Sequence, residues 1–160
     1  MPLPSAKQNL LDELVGLVQV DLETVERAHR ATREGATHEE AKPENDKDTR
    51  ALEQSYLARG QATRIEELRA SIAGVTAMPL KDFEARPAAL GAVVTVDEDG
   101  EESTLLLAPG GGGARLAGGA VQVVTPASPL GRAVLGKRAG DEAEVVVAGK
   151  TRTMQVVRVV

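Results

Sequence analysis

The apolar residues of this chain change their period halfway along it, which limits the fold to a helical part followed by a sheet part. From Ser5 to about Arg33, Leu11, Leu14, Val18, Val25 and Ala28 keep helical spacing, with Asp21 interrupting the seam. Leu10, Leu17 and Leu22 widen the stripe. Ser5 and Gln8 make a capping-box start, and Gly35 makes a stop. A second helical pattern runs from about Asp48 to Ala73 through Ala51, Ala58, Ala62, Ile65, Leu68 and Ile72, with Gly60 inside it. Beyond Gly91 the period becomes two. Val94 and Val96, Leu105 and Leu107, Val121 and Val123, Val145 and Val147, and Met154, Val156 and Val157 mark about five strands between glycine turns.

Each helical segment spans about 40 Å at 1.5 Å per residue, and one polar connection joins them, which predicts an antiparallel hairpin. Leu10, Leu11 and Leu14 face Ile65, Leu68 and Ile72 at its base, and Ala28, Ala31, Ala51 and Ala58 make a slim distal seam. Residues 74–91 carry Gly74, Pro79, Pro87 and Gly91 and read as a linker with one short turn. The expected fold class is α+β. An N-terminal antiparallel helical hairpin (coiled coil) over 1–79 precedes a small, mostly antiparallel sheet domain over 80–160, with one short helix at 129–135. Tyr56 and Phe83 are the only aromatic residues, so the core must be aliphatic and thin.

Several function classes drop out. Without cysteine there is no disulfide and no thiolate metal site. With no apolar run near 18 residues and no leader pattern, the chain is expected to be soluble, cytoplasmic and free of the membrane. A net charge of −5 and the lack of stacking aromatics oppose autonomous nucleic-acid binding. The Pro109–Gly113 run lacks P-loop spacing and reads as a flexible turn. Ser103 and Ser128 have no histidine in their half of the chain, which excludes a nucleophile triad. His29 reads as solvent-facing and His38 as an exposed loop residue.

Between the helices, residues 34–48 hold Glu34, Glu39, Glu40, Glu44, Asp46 and Asp48 against Lys42 and Lys47, a local charge of −4. Such a run is ordinarily a solvated connection that also favours the next helix's N-terminus. Carboxylates at the end of a rod could also complete a Mg²⁺ site in another protein, since Mg²⁺ takes one or two from protein and keeps other oxygens.

Residues 128–142, SPLGRAVLGKRAGDE, place Pro129 at a first helical position, an apolar turn at Leu130, Ala133, Val134 and Leu135, and stops at Gly136 and Gly140. This run resembles the C-terminal signature of the GreA/GreB transcript-cleavage factors, and the hairpin with its acidic tip is similar to their architecture. The resemblance implies an FKBP-like sheet domain that docks on bacterial RNA polymerase and a hairpin that enters the polymerase's secondary channel. Tip carboxylates there help hold a catalytic Mg²⁺, and the polymerase cleaves its own backtracked transcript. On this resemblance Ser128, Pro129, Leu130, Arg132, Lys137, Arg138 and Asp141 are the docking candidates. Lys137 and Arg138 read equally well as ordinary helix-end cations. Glu39, Glu40, Glu44 and Asp46 are the candidate Mg²⁺-assisting acids, acting in trans.

The factor is then no enzyme, holds no cofactor alone, meets nucleic acid only through the polymerase and is expected to be a monomer. Prolyl isomerase activity is excluded, because the sheet domain offers only Phe83, at its edge, for an aromatic pocket. At the tip the chain departs from the family. Where the pattern is Gly-Asp-Leu-x-Glu-Asn-Ala-Glu-Tyr, this chain has Gly35-Ala36-Thr37-His38-Glu39-Glu40-Ala41, so Ala36 replaces an acid used in cleavage. Two alternatives follow: a cleavage-inactive paralogue that blocks the channel, or a coiled-coil scaffold outside transcription.

Overall fold

The computed structural model describes residues 3–39 and 47–160, with side chains over 5–35 and 49–160. Two long helices, α1 (Leu3–Glu39) and α2 (Lys47–Thr76), precede six strands: β1 (Val93–Glu98), β2 (Glu101–Leu107), β3 (Arg115–Leu116), β4 (Val121–Val124), β5 (Glu142–Val147) and β6 (Lys150–Val159). A short helix, α3 (Pro129–Val134), lies between β4 and β5. The chain forms two compact units, one of Met1–Leu17 with Ser71–Val160 and one of Val18–Ala70. This grouping cuts across the expected boundary at residue 79.

In the first unit the sheet order is β3-β4-β2-β1-β6-β5. Every pairing is antiparallel except β2 with β4, so the sheet is mixed, with six strands rather than five. The two-residue β3 has too short an apolar period to be read from sequence. Val94, Val96, Leu105, Leu107, Val145, Met154 and Val156 form the aliphatic core, and α3 packs on β5. Leu106 points to the opposite face from its neighbours yet is only 2% exposed, so the sheet is covered on both sides at this point.

The base of the hairpin belongs to this unit through specific contacts. The Lys7 ammonium donates to the Lys81 carbonyl (2.7 Å) and lies 4.8 Å from the centre of the Phe83 ring. Burial pulls its pKa below the usual lysine range, and Asp82 works against that shift. The Glu13 carboxylate accepts from the Ala117 amide at 3.0 Å. A Cβ on Gly110 would lie 2.4 Å from the Ser71 Cβ, so the Pro109–Gly113 turn is a packed joint against α2 rather than the free turn expected.

Residues 74–91 also depart from expectation. α2 runs on to Thr76, and Met78, Phe83 and Ala88 are all buried. Phe83, placed at the edge by sequence, sits in the core at 5% exposure. Aromatic and aliphatic surface in a proline-rich segment has no period to announce it, and only the folded sheet supplies its partner.

In the second unit α1 passes straight through Gly35, so no stop occurs there. At the other end of α1, Ser5 lies inside the helix, and Gln8 donates to Asp12 at 2.8 Å instead of closing a capping box. The inner faces also leave three of the four expected seam alanines outside. Asp21, Ala28, Ala31 and Ala51 are exposed, and Leu17 is exposed too. Leu22 is buried, and His29, Thr32, Gln54, Ala58 and Gln61 are half-buried. The exposed Arg69 guanidinium donates to Glu26 at 3.0 Å and joins the two helices.

Candidate functional site

The Ser128–Glu142 run folds as a capped turn, a short helix and a loop pinned from both sides. Ser128 has extended backbone (φ −75°, ψ 153°), and its hydroxyl accepts from the Gly131 amide at 3.1 Å while donating to the Thr125 carbonyl at 2.8 Å. Gly131 has no room for a side chain: a Cβ there would stand 1.8 Å from the Thr125 oxygen. At Gly136 the backbone turns left-handed (φ 77°), which ends the helix and aims its amide at the Ala88 carbonyl, 2.7 Å away.

The segment misread as a linker is what holds this loop. Ala88 returns a bond to the Lys137 carbonyl (2.8 Å), and the Arg138 guanidinium donates to the Ala85 carbonyl (3.2 Å). Asp141 closes the far end: its carboxylate accepts from the Arg138 amide at 2.8 Å. The Asp141 carbonyl accepts from Val156 at 2.8 Å, tying the loop to β6. Removing the carboxylate with Asp141→Ala is expected to cost about 1–2 kcal/mol in a denaturant titration, the scale of a hydrogen bond to a charged acceptor.

These contacts sort the docking candidates. Ser128 and Asp141 spend their polar groups on the chain's own backbone, and Leu130 packs partly buried against the core. Pro129, Arg132 and Arg138 are exposed, and Lys137 is half-buried. Leu135, the last apolar residue of the turn read from sequence, is 42% exposed. Its position just past α3 turns it outward, a fact that helical spacing could not reveal. Beside the helix lies an apolar cavity of about 280 Å³, lined by Gly112, Val123, Ser128, Pro129, Leu130 and Val147 among others. Val147 is itself 44% exposed. The surface therefore offers an apolar recess at Pro129 and Leu130, with cationic groups on the same short run.

The candidate acids Glu40, Glu44 and Asp46 lie outside the described residues, as does the Glu39 side chain. Among the described residues no three His, Asp or Glu side chains gather as a metal site, and no helix is long and apolar enough to cross a membrane. Across the neighbouring strands β1 and β6, Glu98 and Arg152 form a two-pronged ion pair, whose hydrogen bond holds the Glu98 carboxyl below its usual range.

Residues 86–160 match the family model described as "Transcription elongation factor, GreA/GreB, C-term". The transcription elongation factor GreA of Rhodospirillum rubrum is 32% identical over 157 residues, covering 98% of this chain and 94% of that protein. The chain belongs to the GreA/GreB family. GreA of Magnetococcus marinus is also 32% identical, over 83% of this chain and 75% of that protein. Among solved structures, GreA factor homolog 1 (Gfh1) of Thermus thermophilus is similar at 19% identity. That likeness covers 91% of this chain and 94% of that one, with a TM-score of 0.40. The family model spans the signature loop and the strands that hold it. It begins at residue 86, inside the segment that clamps Gly136 and Arg138.

Proposed function

We propose that this GreA/GreB-family chain is an elongation factor that binds bacterial RNA polymerase through the Ser128–Glu142 surface and modulates paused or backtracked complexes at the secondary channel. The observation that carries this reading is full-length similarity to GreA, which spans the hairpin as well as the sheet. The exposed residues Pro129, Arg132 and Leu135, beside an apolar recess, supply chemistry suited to docking: an apolar anchor with flanking cations. A net charge of −5 leaves nucleic acid to the polymerase. The factor acts as a monomer in the cytoplasm and hydrolyses nothing by itself. Its tip acids Glu39, Glu40, Glu44 and Asp46 assist a Mg²⁺ held chiefly by the polymerase.

A second reading, a channel blocker without cleavage activity, is favoured by one observation: Ala36 stands where the family pattern has an acid. Pull-down with core RNA polymerase tests the shared part. Capture is expected from the intact chain, and an Arg132→Glu/Leu135→Glu variant is expected to bind about thirtyfold more weakly, the scale of a lost hot spot. If the intact chain captures no polymerase, both readings fail. A stalled-complex assay then separates them: an activator shortens the transcript and loses that effect on Glu39→Ala or Glu44→Ala, whereas a blocker leaves transcript length unchanged.

A further inference from the structure

The Val18–Ala70 unit is not packed evenly along its length. Val18, Leu22, Ile65 and Leu68 are buried at its proximal end. Beyond them the packing thins, and no described residue in 23–35 or 49–64 is buried. Val25 and Ala58 are half-buried there, but most residues turned inward are polar: His29, Thr32 and Gln61 take seam positions that Leu and Ile hold nearer the base. Their polar groups do not bridge the helices. His29 Nδ1 and Gln61 Oε1 are shielded from solvent and have no hydrogen-bond partner, and the Thr32 hydroxyl donates back to the Ala28 carbonyl of its own helix at 2.9 Å. Shielded polar atoms without partners favour any state that lets water reach them.

The helices themselves add little to hold this end. Gly60 lies inside α2 with nothing within 4 Å of where a Cβ would be, so no close packing explains it and its helix-weakening effect stands uncompensated. Leu52, Tyr56 and Leu57, the large apolar residues of this stretch of α2, are each more than half exposed. A helix without a buried apolar face is marginal in water.

We propose that the distal part of the hairpin is a separable element: residues 23–39 of α1 and 47–64 of α2 part and reclose as a local unit, while the Leu22–Ile65 end stays shut. The change from polar to apolar seam positions at Leu22 and Ile65 sets where the opening stops. The spacing of the two arms is then fixed by the surface they meet, rather than by their own packing. This inference rests on the hairpin alone and holds whichever partner the chain has.

Native-state hydrogen exchange on the full chain tests it. Amides of 25–35 and 50–62 are expected to exchange about 100-fold faster than those of 18–22 and 65–69, relative to their intrinsic rates. Gly60→Ala is expected to slow the distal amides of α2 about fivefold and leave the proximal ones unchanged. His29→Leu/Gln61→Leu, which extends the apolar seam, is expected to slow distal amides of both helices by about tenfold or more. Uniform protection along both helices overturns the proposal. So does a distal rate that responds to neither variant.

Discussion

Gly131→Ala is expected to be the most damaging small substitution in the chain. An added methyl would stand 1.8 Å from the Thr125 carbonyl oxygen and 2.6 Å from its carbonyl carbon, so the backbone of the β4–α3 connection must shift. That connection is already fixed, because the Ser128 hydroxyl bonds both Thr125 and Gly131. Relief is available only by breaking the cap or displacing Val134 and Ala133 from the core. The expected loss is about 3 kcal/mol or more, at the upper end for overpacking in a site that cannot yield. Thermal melting should show it as a Tm about 6–12 °C lower, given the usual conversion for a chain of this size. Ser128→Ala makes the informative comparison: it removes the cap without a clash and should cost only about 1 kcal/mol. Equal losses from the two variants would mean that Gly131 is not constrained by Thr125.

Leu14→Ala is the second large effect, and its location matters as much as its size. Leu14 is wholly buried on the part of α1 that belongs to the sheet-containing unit. Truncation should cost about 2–5 kcal/mol, the range for leucine in a close-packed site. Because Lys7, Glu13, Ser71 and Gly74 all contact segments of the sheet unit, that loss should appear in the sheet as well as in the helix. Exchange of β2 and β4 amides, followed together with helical circular dichroism, reads this directly. A helix that weakens while those amides keep full protection would show that the first 17 residues fold apart from the sheet.

The ion pair between Glu98 and Arg152 bears on acid stability in a smaller way. The Glu98 carboxyl is held below its usual range in the folded state, first by the hydrogen bond from Arg152. Its contribution is therefore present at neutral pH and is lost as the pH falls through the carboxylate range. Arg152 is exposed and Glu98 only half-buried, so solvent still screens the pair and its contribution is minor beside the packing terms.

Much of this molecule was legible in its sequence because period is a backbone property. Helical spacing placed two long helices, alternation placed five of the six strands, and Ser128-Pro129 with Gly136 announced α3, since caps and stops act within a few residues. Turns were legible for the same reason: Asp99-Gly100, with both residues at positive φ, joins β1 to β2 as its composition predicts.

Long-range contacts were not legible. Residues 74–91 have linker composition, yet they bury Phe83 and Ala88 and hold the signature loop through Ala85 and Ala88. The parallel β2–β4 pair gave no sign, because its strands look the same whichever way their neighbours run. Past Leu22 helical spacing placed Val25 and Ala58 on half-buried positions but misplaced Ala28, Ala31 and Ala51, since alanine fits either face of a helix and His29 and Gln61 carry no apolar signal. The sequence by itself determined most of the elements and the family, because those depend on residues close together in the chain. Only the tertiary structure decided that Ser128 and Asp141 serve the backbone while Leu135 faces outward, and that the hairpin's base is part of the sheet unit. Those outcomes depend on which distant atoms come to fill the space around each side chain, and no local pattern encodes that.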